Sequence, residues 1–182
     1  MNAPMFPQII LLHGREDTPD GAVARLHGIL SAAYPKLSYA RPFIPDAMIE
    51  DAVEWVANQY VRRIQPNSLL VGFERGGLIA CAIQSRFPAL RLSVFAINSP
   101  TKEGSISATY CQHTYSRVAL YSSEYPHIKG RCNWPELQPM AYDVPWLANG
   151  HKLDYPISYL ISAYMRGADM EKEVALMFPI AV

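Results

Sequence analysis

Residues 69–77, which read LLVGFERGG, constrain the fold of this chain more than any other part of its sequence. The apolar beginning is typical of a strand that is buried on both faces of a parallel sheet. The segment GLIACAIQSRF follows at once and is typical of a helix that packs against such a sheet. Gly72 and Gly76 flank Glu74, and glycine at both positions lets the strand and the helix approach each other closely. We therefore expect a tight strand, turn and helix unit with the Glu74 carboxylate at its apex.

The rest of the chain alternates in the same way between short apolar runs and amphipathic segments. Strands are predicted at Gln8–Leu12, 37–41, 68–72, 92–97 and Arg117–Tyr121, with a short last strand at 144–147. Helices are predicted at 21–33, 76–87, Tyr155–Met165 and 170–178, and between Asp46 as cap and Pro66 as stop. This alternation predicts an α/β fold with a doubly wound, mainly parallel sheet and helices on both faces. The long polar stretch between the fourth and fifth strands is expected to hold a short helix or a functional loop.

The charge balance argues against several classes of partner. Lysine plus arginine equals aspartate plus glutamate at 16 each, so no strong field favours nucleic acid or an anionic membrane. We expect a small neutral or apolar ligand, and the sequence leaves any protein partner open. Half of the 182 residues are apolar, which is enough for the core of a single domain spanning residues 1–182.

The cysteines bear on metals and on location. Cys81, Cys111 and Cys132 lie far apart and lack the spacing of a metal site, so neither a metal nor another cofactor is predicted. An odd number of scattered thiols fits a reducing compartment. The N-terminal apolar run, IILL, is too short for the core of a signal peptide. Together these features favour a cytoplasmic location.

Polar side chains follow four of the predicted strands. They lie at residues 13–15, 73–75, 122–128 and 149–151. Because ligands of an open α/β sheet bind beyond the carboxyl ends of its strands, these four groups should converge on one edge. The aromatic-rich stretch at 110–146 could line a pocket there or could simply fill the core.

Four motifs at this edge give the chain a resemblance to the α/β-hydrolase superfamily. LLHG follows the first strand, GFERGG forms the turn after the third, LYSSEYPHI follows a late strand, and LANGHK lies near the end, in the order of that superfamily. The resemblance covers nearly the whole chain and indicates a small esterase-like or lipase-like member without a cap domain. It implies that Glu74 occupies the position of the nucleophile, in a strained turn that Gly72 and Gly76 make room for.

The resemblance also implies an oxyanion hole beside Glu74. The backbone amide of Arg75 would contribute to it, together with an amide from the loop after His13 and Gly14, where Arg15 lies. The side chain of His13 is expected to be a structural loop residue that marks this loop. The side chain of Arg15 is a candidate binding residue.

The remaining positions of a catalytic triad are only partly filled. His151 corresponds to the base that takes the nucleophile's proton. Tyr125 stands where an aspartate is expected, and a phenol with an ordinary pKa of about 10 is a poor anionic partner for a histidine. Glu124 or Asp143 could replace it only if the loop is rebuilt. Glu74 itself has no hydroxyl or thiol with which to form an acyl intermediate.

Three functions follow from these residues. The first is a hydrolase-fold protein that has lost serine catalysis and is retained for binding a small molecule or a protein. The second is an active hydrolase in which Glu74 is a carboxylate nucleophile, or in which Glu74 and His151 activate water. The third is an interaction module that binds a protein through its proline-rich and aromatic second half.

Overall fold

A parallel sheet forms the centre of the computed structural model, which describes residues 6–109, 116–138, 140–149 and 154–177. Its strands are β1 (Gln8–Leu12), β2 (Ser38–Ala40), β3 (Leu69–Phe73), β4 (Ser93–Ile97), β7 (Arg117–Tyr121) and β8 (Ala141–Asp143). They lie in the spatial order β2, β1, β3, β4, β7, β8, and every neighbouring pair is parallel. Two further strands, β5 (Lys102–Glu103) and β6 (Ile106–Ser107), form a separate antiparallel hairpin.

Helices cover both faces of the sheet. They are α1 (Ala22–Ala33), α2 (Ile49–Trp55), α3 (Arg75–Arg86), α4 (Trp134–Leu137), α5 (Tyr155–Met165) and α6 (Met170–Met177). Helices α1, α5 and α6 belong to one apolar cluster, and α2, α3 and α4 to the other. Alternate residues of each central strand enter the two clusters, which is why the strands read as unbroken apolar runs in the sequence. The predicted α/β fold with a doubly wound parallel sheet is confirmed.

Two details of the predicted elements were wrong. The long second helix begins after Met48, and Asp46 does not cap it, because the Asp46 carboxylate accepts a hydrogen bond from Arg15 Nε at 3.1 Å. After α2 the backbone continues as a π-helical turn, Val56–Tyr60, and a 3₁₀ turn, Val61–Arg63. The last strand was predicted at 144–147 but lies at β8, because Pro145 has no N–H for a strand ladder and begins a 3₁₀ turn instead.

The long polar connection after β4 contains the β5–β6 hairpin, where a short helix or a functional loop was expected. Gly104 turns the chain with φ at 55°. Glu50 Oε1 accepts hydrogen bonds from the backbone N–H and the hydroxyl of Ser105, at 2.7 and 2.9 Å. These bonds hold the hairpin against α2 and bring Glu103 towards the edge of the sheet where β3 ends.

Within the described ranges, no helix combines the length and the apolar character that crossing a bilayer requires.

Candidate functional site

The turn between β3 and α3 has the strained geometry that the sequence predicted. Glu74 has φ at 52° and ψ at −126°, a region that side chains other than glycine rarely occupy. A Cβ atom on Gly72 would lie 2.4 Å from backbone atoms of Gly76 and Gly77, and one on Gly76 would lie 2.3 Å from the Leu12 carbonyl oxygen. Both glycines are therefore required by packing, and the turn holds Glu74 at its apex between β3 and α3.

The side chain of Glu74 contacts two loops that also follow strands of the sheet. Its Oε1 atom accepts a hydrogen bond from the Tyr125 hydroxyl at 2.5 Å. Its Oε2 atom lies close to Gly14, because a Cβ atom on Gly14 would be only 2.9 Å from it. The structure thus brings together the apex of the turn, the loop after β1 and the loop after β7.

Tyr125 acts as a proton donor in this arrangement. Its residue is buried, and a local turn in which its backbone N–H donates to the Ser122 carbonyl at 3.0 Å holds it in place. Burial raises the pKa of Tyr125, and the hydrogen bond to Glu74 and the negative charge of Glu74 raise it further. The phenol therefore keeps its proton at neutral pH and cannot serve as the anion that orients a histidine.

The raised pKa of Tyr125 predicts a loss of stability in alkali. Above about pH 10 the unfolded chain releases the Tyr125 proton while the folded chain retains it, so the folded state binds more protons and its stability falls as pH rises. We expect the melting temperature of the wild type to fall more steeply above pH 10 than that of Tyr125→Phe, measured by circular dichroism. Tyr155→Phe, at an exposed position, is the matched control. Equal slopes for wild type and Tyr125→Phe would contradict this prediction.

Arg75, the first residue of α3, does not pair with Glu74. Its side chain is buried, and its Nε donates to Glu103 Oε2 on the hairpin at 2.9 Å. This ion pair fixes the hairpin beside the turn. It also neutralises the charge of Arg75 locally, so the Glu74 carboxylate gains little from that guanidinium.

The other sequence candidates have separate partners. The His13 ring is buried, and its Nε2 accepts the Ile44 backbone N–H at 2.9 Å, so its Nδ1 donates to the Gly14 carbonyl at 2.8 Å. Glu124 is exposed and pairs with Lys129 at 3.1 Å. His13 is thus placed as a structural loop residue, and the Glu124 carboxylate is directed to Lys129.

The two remaining candidates are Asp143 and His151. Asp143 accepts a hydrogen bond from the Ser123 hydroxyl at 2.9 Å. His151, the predicted base, lies outside the residues that the structure describes. The described part of the site therefore consists of Glu74, Tyr125 and the loop at Gly14.

A cavity of about 240 Å³ opens beside this group. Its lining is dominated by ionisable side chains, namely Arg15, Glu16, Glu74, Arg75, Glu103, His127 and Arg131. The sequence interpretation did not single out Glu16, Glu103, His127 or Arg131. The length of the polar connections after β4 and β7 was the available signal, but it did not show which residues would face the site.

No family model matches this chain, and no curated protein matches it either. Solved structures do match. The ydeN gene product of B. subtilis has a TM-score of 0.63 at 16% identity, covering 87% of this chain and 98% of its own. A protein from Xanthomonas campestris pv. campestris assigned to the alpha/beta hydrolase superfamily has a TM-score of 0.54 at 16% identity, covering 88% of this chain and 94% of its own. With the parallel sheet and the strained turn after β3, these matches show that the chain has a small α/β-hydrolase-type fold.

Proposed function

We propose that this hydrolase-fold chain is impaired in serine-type ester hydrolysis and is retained for binding a small molecule or a protein. The observation that supports this function is the hydrogen bond from the Tyr125 hydroxyl to Glu74 Oε1. It joins the positions that hold the nucleophile and the acid in the enzymes that the sequence resembles. The side chains at these two positions form a hydrogen bond with each other. They do not supply the serine nucleophile and the acidic residue of a catalytic triad.

The chemistry of Glu74 explains the impairment. A serine-type nucleophile needs a hydroxyl from which a base removes the proton, whereas an ionised carboxylate has no proton to give. The Oε2 atom of Glu74 also lies against Gly14, next to the loop whose amide would stabilise an oxyanion. A negative charge already present there repels the second negative charge that develops on an ester carbonyl during attack.

An ester screen tests this function. We expect the wild type to hydrolyse short-chain p-nitrophenyl esters no faster than a heat-denatured sample. Glu74→Ala and Glu74→Gln are expected to stay at the same background, and the second keeps the size of the side chain. Turnover by the wild type that disappears in Glu74→Ala would contradict the proposed function. Turnover that is unchanged in Glu74→Ala would assign it to another part of the chain.

The position of Glu74 on the cavity supports a second candidate, an active hydrolase. In it, a Glu74 oxygen attacks a carbon atom, an ester bond forms as halide leaves or an epoxide opens, and water then cleaves the ester. Glu74 with His151 as a water-activating pair is the variant of this candidate without a covalent step.

Mass spectrometry tests the covalent route. The chain is incubated with a panel of haloalkanes and epoxides, and its intact mass and peptides are then measured. A mass increase on the peptide that contains Glu74, absent from Glu74→Gln, would establish the carboxylate nucleophile. Unmodified protein across the panel, with no product released, would remove both routes of this candidate.

A further inference from the structure

The charged cavity beside Glu74 contains both paired and unpaired groups. The buried Arg75 pairs with the half-buried Glu103 at 2.9 Å, and Arg15 pairs with Asp46 at 3.1 Å at the surface. Each of these two arginines therefore already has a carboxylate partner within the protein. A ligand would gain most from the charged groups that have no partner of opposite sign.

Glu74 is one such group. Its Oε1 atom accepts the neutral Tyr125 hydroxyl, and no cationic side chain in the described ranges forms an ion pair with it. Because Tyr125 stays protonated, its hydrogen bond orients the carboxylate without neutralising it. Glu74 thus presents a negative charge to the cavity.

Arg131 is the complementary group on the same cavity. Its Nη2 atom donates to the backbone carbonyl of His127, which fixes the guanidinium but supplies no negative charge. Among the residues that the structure describes, no carboxylate pairs with Arg131, and Arg131 and Glu74 do not pair with each other. Glu16 also lines the cavity without an ion pair in the described ranges, but it is exposed, whereas Glu74 is half-buried and oriented by Tyr125. The lining therefore offers a half-buried carboxylate at Glu74 and an exposed, unpaired guanidinium at Arg131.

From these contacts we infer that the cavity binds a small zwitterion, whose ammonium group meets the Glu74 carboxylate and whose carboxylate meets the Arg131 guanidinium. A neutral or apolar ligand would leave both charges without partners, and a ligand of one charge would satisfy only one of them. A guanidinium forms two parallel hydrogen bonds to a carboxylate, which suits Arg131 to the anionic end of the ligand.

The size of the cavity sets the class of ligand. Its volume of about 240 Å³ lies below the roughly 300–1,000 Å³ of sites for drug-sized molecules. A free amino acid or a short ω-amino acid is of a suitable size. This ligand class replaces the neutral or apolar one that the overall charge balance predicted, because the local arrangement of charge differs from the net charge. The inference rests on the proposed binding function of the same site.

Calorimetry with ω-amino acids of increasing length tests the inference. Glycine, β-alanine, 4-aminobutyrate, 5-aminopentanoate and 6-aminohexanoate are titrated into the wild type at low ionic strength. We expect one length to bind about tenfold more tightly than the alkylamine and the alkylcarboxylate of the same length, since each of those satisfies only one charge. The preferred length then gives the separation of the two charges.

Variants identify the residues that carry this preference. Glu74→Gln and Arg131→Gln keep the size of the side chains and are each expected to abolish the advantage of the zwitterion. Lys129→Gln, at an exposed neighbouring position paired with Glu124, is the matched control and should bind as the wild type does. Circular dichroism verifies that each variant is folded.

Three results would overturn the inference. They are a lack of binding by every length, equal binding of the zwitterion and its singly charged analogues, and a preference that survives both Glu74→Gln and Arg131→Gln. These results are distinguishable from failure of the proposed function. The proposed function is contradicted only by ester hydrolysis that depends on Glu74, which the ester screen measures separately. A chain without esterase activity that also binds no zwitterion would overturn the ligand class alone.

Discussion

Replacing Gly72 by alanine is expected to lower the free energy of unfolding by at least about 3 kcal/mol, the upper part of the usual range for overpacking. A Cβ atom at this position would lie 2.4 Å from the backbone of Gly76 and Gly77, which cannot move without shifting the start of α3. Urea unfolding followed by circular dichroism measures the loss. The substitution should also displace Glu74 and weaken its contact with Tyr125.

Gly28→Ala is the matched control for this substitution. Gly28 lies within α1, and a Cβ atom there would meet no atom within 4 Å apart from its chain neighbours and the backbone of its own helix. Because alanine favours a helix over glycine by about 0.5–1 kcal/mol, this variant should be slightly more stable than the wild type. If the Gly72→Ala and Gly28→Ala variants had equal free energies of unfolding, the close packing of the turn would be contradicted.

Removing the side chain of Gln84 is expected to cost about 3 kcal/mol of stability, because it leaves a buried cation without its main acceptor. Arg117 is almost fully buried, and its Nε and Nη2 atoms donate to Gln84 Oε1 at 2.9 and 2.7 Å. Its Nη1 donates to the Thr109 carbonyl at 2.6 Å, and in the described ranges no carboxylate pairs with it. The free energy of unfolding of Gln84→Ala in urea tests this expectation.

Gln59→Ala is the control for Gln84→Ala, because Gln59 is exposed and its loss should change stability by less than about 0.5 kcal/mol. Gln84 also donates to the Leu92 and Ser116 carbonyls at 3.0 and 3.1 Å, so its removal frees acceptors as well. A loss of less than about 1 kcal/mol for Gln84→Ala would show that Arg117 finds other acceptors.

Local patterns were sufficient to predict most of the fold. The strand Gln8–Leu12, the strand Arg117–Tyr121 and the helix Tyr155–Met165 have the predicted limits, since their apolar periodicity is unbroken and proline or polar residues bound them. Prediction failed where a local signal had a competing tertiary partner. Asp46 reads as a helix cap, but Arg15 from another loop binds its carboxylate.

The candidate site was predicted less completely than the fold. The position of Glu74 at the apex followed from the two glycines beside it, and the loop at Gly14 followed from the parallel order of the strands. The sequence also marked Tyr125 as the residue that replaces an acid. It did not show that the Tyr125 hydroxyl would donate to Glu74, 51 residues away, or that the hairpin would bring Glu103 to Arg75.

The sequence by itself determined most of the strands and helices of this protein, and the tertiary structure decided the electrostatics of its site. A strand, a glycine turn and a helix are specified by residues next to one another, through periodicity and the steric limits of Gly72 and Gly76. Which charges are neutralised depends on distances between loops that are remote in sequence, because an ion pair forms only where folding brings its two groups within a few ångströms. The unpaired charges of Glu74 and Arg131 on one cavity are therefore a property of the folded chain.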